Sequence, residues 1–304
     1  MNPFFSVIIP TYNRALLIKK AIQSVLQQTY TDWELIIVDD GSTDNTKEVI
    51  ESYSDKRIRY IYQQNAERSE ARNNGIKNAL GKYICFLDSD DFFLPNRLEL
   101  LLLCLEKEKF PIAAFYTGAG IEVNEVVTFN KEKVISTDIF THILNSAIHS
   151  QQMCIHTNIL QQFKYDKRFR IGEDMELWLR IADKFPFIFL QNQQTIIVVD
   201  QEGRSVNVKR NNVYAEYLQT LQYIFSSNHT GTKISRKIQK KLLGNCYFGI
   251  AKYHIYQKNR MAGINLLVKS IFTDINTPLL RFRINVLTKL LLFSSMTKIR
   301  ILIE

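Results

Sequence analysis

The sequence of 304 residues contains no apolar run near the roughly 18 residues a membrane-spanning helix needs; stretches such as residues 98–105 stop far short. No basic leader precedes an apolar segment at its start, so a cytoplasmic protein, or one peripheral on the inner face of the membrane, is expected. Cysteine is sparse: Cys85, Cys104, Cys154 and Cys246 form no Cys-x-x-Cys spacing, which argues against a zinc site or a disulfide scaffold and suits reduced interior residues. Signatures of the RNP, zinc-finger and helix-turn-helix types are missing too. The net charge of +9 is therefore read without a nucleic-acid partner, as a face for an anionic membrane or acidic acceptor, or as a solubilising surface. The excess is C-terminal: from Lys233 onward Lys and Arg recur with few acids, while the first half is nearly balanced.

An apolar content of 46% over this length can bury a substantial core, which suits a main domain with a smaller appendage. The first hundred or so residues alternate short β-rich runs with helical patterns, as in a parallel sheet covered by helices. Strands are expected at residues 5–9, 34–38, 58–62 and 83–87, and Leu17, Ala21, Ile22 and Val25 mark the apolar face of a helix between the first two. Polar tips follow three of these strands: Pro10-Thr11-Tyr12, Asp39-Asp40-Gly41, and Asp88-Ser89-Asp90-Asp91. In open α/β sheets ligands bind beyond the carboxyl ends of the strands, so these tips are expected to converge on one site. Past Pro111 the pattern becomes irregular, with strand-like pieces at residues 113–116 and 121–128 and a helix at 137–144. An amphipathic helix at 173–185 and a strand at 195–199 come next, and everything from Lys209 onward reads as helical, including a hairpin around Lys258 and Asn259.

Three carboxylates crowded beyond an apolar strand repel one another unless a cation sits among them. Asp88 and Asp90, at i and i+2, can face one side of an extended chain and reach a hard ion such as Mg²⁺ or Mn²⁺, which would also bind a diphosphate. The alternative is an acidic loop capping the helix that opens near Pro95 and Asn96. At the second tip, Gly41 permits a tight turn and Asp44 or Ser42 can cap the next helix; Asp39 is a candidate to accept an N–H of a nucleobase. Thr11 and Tyr12 can flank that base, the ring of Tyr12 offering either a stacking surface or a structural contact. Arg72 stands early in a helical segment, against the helix dipole, so an anionic partner such as a phosphate or Asp88 is expected, with a surface ion pair to Glu67 or Glu70 as the alternative.

Pro10-Thr11-Tyr12-Asn13-Arg14, Asp39-Asp40-Gly41-Ser42-Thr43-Asp44, Ala71-Arg72-Asn73-Asn74-Gly75 and Asp88-Ser89-Asp90-Asp91, in this order and spacing, resemble the family 2 inverting glycosyltransferases of GT-A fold. The likeness is strong over residues 4–91, weaker to 195, and slight beyond. It implies a mainly parallel central sheet flanked by helices with a C-terminal helical appendage: a glycosyltransferase domain over residues 1–208 and a helical region over 209–304. Within the domain a nucleotide-binding half spans about residues 1–110 and an acceptor half about 111–208. By the same resemblance Pro10, Thr11, Tyr12, Arg14, Asp39, Arg72, Asp88 and Ser89 hold the nucleotide, and Asp90, with Asp88 as a second candidate, ligates Mn²⁺ or Mg²⁺.

Such relatives also place a catalytic carboxylate at the start of a later helix, which matches Glu173-Asp174 here. An inverting displacement needs a base opposite the leaving diphosphate, and Asp174 is the first choice with Glu173 as alternate. Both residues also suit the dipole of a helix N-terminus. Trp178 lies at i+4 from Asp174, on the acceptor side or in the core. One departure stands out: the histidine that many relatives carry after the following strand is absent from Val198-Val199-Asp200-Gln201-Glu202-Gly203, leaving Asp200, Glu202, phosphates or water to complete a metal shell. The expected function is transfer of a sugar from a nucleotide-sugar donor, UDP-linked first, to a hydroxyl of a glycan or lipid-linked acceptor in bacterial cell-surface polysaccharide synthesis. Basic C-terminal helices could rest on the membrane that presents it. The competing readings are a catalytically silent nucleotide-sugar-binding or scaffold module and a sugar-nucleotide nucleotidyltransferase, although the latter's glycine-rich phosphate loop is absent after the first strand.

Overall fold

The computed structural model describes residues 2–129, 138–146, 148–198, 213–228 and 230–292. Two compact units divide the chain, Met1–Arg204 and Ser205–Glu304.

In the first unit β1 (Phe5–Thr11), β2 (Trp33–Asp39), β3 (Ile58–Tyr62) and β4 (Tyr83–Phe86) pair in parallel in the order β3-β2-β1-β4. Both faces of β1 and β2 are buried along their whole length, which is why they read as unbroken apolar runs instead of alternating ones. Helix α1 (Ile18–Leu26) lays Ile18, Ala21, Ile22 and Val25 on Val7, Ile9, Leu35 and Ile37, each such side chain adding about 1.5–3 kcal/mol by leaving water. After the short α2 (Thr46–Glu51), helix α3 (Glu67–Asn78) lies so close on the sheet that a Cβ at Gly75 would run into the side chain of Ile8. A methyl group there is expected to cost about 1–3 kcal/mol by overpacking. This close approach sets Arg72, three residues earlier, against the tip of β4.

The rest of the sheet is built from β5 (Phe92–Phe93), β6 (Ala114–Val123), β7 (Val126–Phe129), β8 (Met153–His156) and β9 (Phe187–Val198). Its order continues β4-β8-β6-β9-β5, with β7 hairpinned onto β6. Strand β8 runs antiparallel to both β4 and β6, and β5 antiparallel to β9, while β6 and β9 are parallel. The expected α/β sheet flanked by helices is present, with parallel order confined to the first four strands and the β6–β9 pair. Helices α4 (Arg97–Lys107), α5 (Ile139–Asn145), α6 (Thr157–Gln162) and α7 (Glu173–Ala182) flank it.

Several sequence boundaries shift. The strand pieces expected at 113–116 and 121–128 are instead the single strand β6 (Ala114–Val123), which turns at Asn124 and Glu125 into β7 (Val126–Phe129). Helix α7 stops at Ala182, short of the expected 185, because Pro186 disfavours helical backbone just before it. Strand β9 opens at Phe187, eight residues before the expected start, its alternation masked by the run Gln191-Asn192-Gln193-Gln194 and by register shifts around Gly118 of its partner β6. The expected strand end at Val199 and helix start at Thr137 lie outside the described residues.

The second unit contains helices α8 (Val213–Ser226), α9 (Arg236–Tyr256), α10 (Arg260–Thr273) and α11 (Leu280–Leu292). The expected hairpin joins α9 to α10: Lys258 takes a left-handed φ of 62°, and the Asn259 side chain caps α10 by accepting from the Ala262 N–H. Ala251, Ile255, Leu267, Val286 and Leu290 form its core. Arg283 is fully buried, its guanidinium donating to the Ser270 carbonyl and to Asn245 Oδ1. Among the described residues no helix is long and apolar enough to cross a membrane.

Candidate active site

The register pairs Thr11 with Asp39, so the tips of β1 and β2 lie side by side, and the Asp40 N–H donates to the Thr11 carbonyl at 2.8 Å. Asp39 is 1% exposed; its Oδ1 accepts from the Ser42 N–H and its Oδ2 from the Tyr60 hydroxyl, both at 2.8 Å. Burial first, and then the Asp39 carboxylate, push the Tyr60 hydroxyl well above the usual tyrosine range, so that it stays a donor. Asp40 Oδ1 accepts from Gln63 Nε2 and the Ala66 N–H at 2.7 and 2.9 Å, which fixes the start of α3. The neighbouring loops are stitched together by Asn13, whose N–H donates to Ser42 Oγ and whose Oδ1 accepts from the Thr43 N–H. Tyr12 is exposed beside them, the Arg14 N–H donates to Thr46 Oγ1, and Pro10 and Thr11 are buried, with Thr11 Oγ1 lacking a partner among the described residues.

Arg72 is the hub of the site. It is 3% exposed, and its Nη2 donates to Asp88 Oδ1 at 2.8 Å, while Nη1 reaches Glu173 Oε1 at 3.3 Å and Asp174 Oδ1 at 3.4 Å. Its guanidinium lies over the Tyr165 ring, 5.3 Å from the centroid. Burial disfavours this charge, but Asp88 and then Asp174, with Tyr165 and Glu173, more than offset it and raise the guanidinium above its ordinary range. In turn, burial works against ionisation of Asp88, yet Arg72 holds it below the usual carboxylate range. Glu173 also pairs with Arg68 Nε at 2.7 Å. Burial and the adjacent Asp174 nevertheless outweigh the two arginines and push the Glu173 carboxyl up to about 7. The fold thus gathers Arg72, Asp88, Glu173 and Asp174 from α3, the β4 tip and α7 into one ion network.

The acidic run after β4 divides its labour. Asp91 is buried and structural: Oδ2 accepts from Gln151 Nε2 at 2.7 Å and Oδ1 from the Val198 N–H at 2.8 Å, tying the tip to β9. Ser89 is buried, whereas Asp88 and Asp90 are half-buried. Among the described residues no group of three or more His, Cys, Asp or Glu side chains could hold a metal. A hard ion at Asp88 and Asp90 would have to complete its shell with water and phosphate oxygens, the habit of Mg²⁺. Asp200 and Glu202, the expected stand-ins for a histidine, lie outside the described residues.

Trp178 needs correction as an acceptor-side residue. It has no exposed surface, and its Nε1 donates to the Ile148 carbonyl at 3.1 Å, so it packs in the core as the inward face of α7 dictates. His156 is likewise structural, capping α6 through Nδ1 from the Asn158 N–H. Two site residues were missed in the sequence: Ser150, in the 3₁₀ turn Ser150–Gln152, and Tyr165. The Ser150 N–H donates to Asp174 Oδ2 at 3.1 Å and its Oγ to Asp174 Oδ1 at 2.6 Å, while Tyr165 Oη lies 2.7 Å from Ser150 Oγ. No local pattern marks them, because their meeting depends on the turn before β8 packing against α7.

The model of glycosyl transferase family 2 matches residues 6–170. An uncharacterized glycosyltransferase of Rickettsia felis is 38% identical over 181 residues, 59% of this chain but only 30% of that protein, so the chain matches less than a third of that relative's length. The GalNAc(5)-diNAcBac-PP-undecaprenol beta-1,3-glucosyltransferase of Campylobacter jejuni is 27% identical over 98% of both chains. Among solved structures, S. aureus TarS 1-349 in complex with UDP-GlcNAc aligns over 98% of this chain and 90% of its own, with a TM-score of 0.65 and 18% identity, a likeness of fold.

Proposed function

The chain belongs to glycosyl transferase family 2, and from that premise we propose that it transfers a sugar, with inversion, from a UDP-linked donor to a hydroxyl of a lipid-linked glycan during bacterial surface-polysaccharide synthesis. The observation that carries this reading is the ion network in which Arg72 joins Asp88, at the strand tips, to Asp174, at the start of α7. Asp39, Thr11, Tyr12 and the loop from Pro10 to Arg14 would hold the nucleoside, and Arg72, Asp88 and Ser89 the ribose and diphosphate side. Residues 1–110 would form the donor half, 111–208 the acceptor half and 209–304 a helical appendage. Asp174 takes the proton of the acceptor hydroxyl; the freed oxygen pair attacks the anomeric carbon from the face opposite the diphosphate; the carbon–oxygen bond breaks with its electrons leaving on the diphosphate. A Mn²⁺ or Mg²⁺ ion held by Asp90 and Asp88 would stabilise charge on that leaving group. Glu173, uncharged over much of the acid range, serves less well as the base and more as a partner that shapes Arg72.

Lipid-linked acceptors agree with the undecaprenol named in the Campylobacter relative, and the UDP preference with the UDP-GlcNAc named in the TarS complex. Between residues 213 and 292 the sequence carries twelve Lys or Arg, eleven besides the buried Arg283, against Glu216 and Asp274 alone, and exposes Phe272, Ile275, Leu279 and Phe282. Such a face suits an anionic bilayer on the cytoplasmic side, its binding to phosphatidylglycerol vesicles weakening as salt rises. The deciding experiment for the activity is Asp174→Asn. Loss of UDP-sugar turnover with UDP binding retained supports the transferase; turnover equal to wild type removes Asp174 as the base. Binding of a nucleotide sugar without any turnover by the wild type would instead favour a silent module.

A further inference from the structure

We infer that Ser150 and Tyr165 are positioning residues that clamp the Asp174 carboxylate and leave its Oδ2 as the oxygen that takes the acceptor proton. The inference rests on Asp174 being the base of the proposed transfer. Ser150 has no exposed surface, and it grips both oxygens of Asp174 at once, with its N–H on Oδ2 at 3.1 Å and its hydroxyl on Oδ1 at 2.6 Å. A serine hydroxyl has one proton, and the carboxylate takes it, so in the 2.7 Å contact between the two hydroxyls Tyr165 is the donor. Burial first, and then the Asp174 charge, raise the Tyr165 hydroxyl well above its ordinary range, which keeps that donor proton in place. The direction of the chain is therefore fixed, from Tyr165 through Ser150 to Asp174.

The anchor of this chain is rigid. The Tyr165 ring sits edge-on to Phe86 and Trp178, with centroids 5.7 and 6.0 Å away. Its backbone is bound both ways to the Asn73 side chain, each bond 2.9 Å long, so the clamp is fixed to the helix that carries Arg72. Trp178 contributes here only indirectly, holding the Ile148 carbonyl ahead of Ser150. On Asp174, Oδ1 accepts from Ser150 Oγ and lies 3.4 Å from Arg72 Nη1, whereas Oδ2 accepts only the Ser150 N–H among the described residues. Oδ2 thus keeps a lone pair for an incoming hydroxyl, and a carboxylate fixed at both oxygens loses no orientation when that hydroxyl arrives.

The test uses Ser150→Ala, Tyr165→Phe and Asp174→Asn in the full chain, with ¹³C-carboxyl NMR of aspartate-labelled protein. The Asp174 resonance is identified by its loss in the asparagine variant. The titratable and charged groups around it are Arg72 and Arg68 of α3, Glu173 of its own helix, Tyr165, and, across Arg72, Asp88 with His149 nearby. All but the deleted hydroxyl are unchanged in Ser150→Ala. Its Asp174 titration midpoint should rise by about one to two pH units, the size of a lost hydrogen bond to a charged acceptor. A smaller rise is expected for Tyr165→Phe, which keeps the ring and decides the matter if Ser150→Ala does not fold. Hydrolysis of UDP-glucose should show kcat reduced roughly tenfold with KM unchanged, because the clamp orients the base without holding the donor. Folded variants with the wild-type midpoint and kcat would overturn the clamp while leaving the transferase intact if Asp174→Asn is inactive. Full turnover by Asp174→Asn would remove the base assignment and the clamp together.

Discussion

The tips of β2 and β4, on either side of β1, both end in adjacent aspartates, yet the fold treats the two runs differently. At the β2 tip Asp39 and Asp40 are each bound by two donors of their own loop region, from Ser42, Tyr60, Gln63 and Ala66, and both are buried. At the β4 tip Asp91 is likewise held by two neutral donors, Gln151 Nε2 and the Val198 N–H, while Asp88 faces a buried arginine and Asp90 is half-buried. Acidity at a strand end therefore has two meanings. Where backbone N–H and neutral side chains converge, a carboxylate builds a loop; where the counter-charge comes from another segment, it builds a site that can exchange partners.

Arg72→Ala breaks the comparison most severely. It leaves Asp88, Glu173 and Asp174 crowded without their shared cation, and a loss of about 3–5 kcal/mol is expected by denaturant unfolding, with Arg72→Lys retaining part of it. Asp91→Ala comes next: it strands Gln151 Nε2 and the Val198 N–H, an expected cost of about 2–3 kcal/mol, seen as loss of stability and not as loss of nucleotide affinity.

A pH series sharpens the picture further. Glu173, pushed up to about 7 by burial and Asp174 against an ordinary value of 4.5, keeps in the native state a proton that the unfolded chain releases. Its contribution to stability is complete below pH 4.5 and is lost as the pH rises through 7, so Glu173→Gln should flatten that fall in a comparison of Tm across pH 4.5 to 8. The smallest effect belongs to the β2 tip. Tyr60→Phe removes one donor to Asp39 and should cost about 1–2 kcal/mol, because the Ser42 N–H remains.

The first four strands and their tips were the legible part of the sequence. β1, β2, β3 and β4 announce themselves as apolar runs ended by polar tips, and the Arg72–Asp88 pairing was among the partners expected for an arginine opposed to its helix dipole. The segments beyond Pro111 were harder to read. Trp178 at i+4 from Asp174 fits an acceptor wall or a core position equally well in one dimension, and only the direction in which α7 faces separates them. Ser150 and Tyr165 lie 24 and 9 residues before Asp174, in irregular segments whose meeting is fixed by antiparallel β8 and its preceding turn. Arg97 gives no sequence sign of its place either, fully buried over the Phe93 ring with its guanidinium on Thr117 Oγ1 and the Gln151 carbonyl.

The most direct test of a donor site at the β4 tip is calorimetric titration of UDP into the wild type and Asp90→Ala, each with and without Mn²⁺. A site built on these carboxylates predicts UDP binding that strengthens with Mn²⁺ in the wild type and loses that gain in Asp90→Ala. Absence of UDP binding under every condition, or identical metal-dependent binding by both proteins, would contradict it.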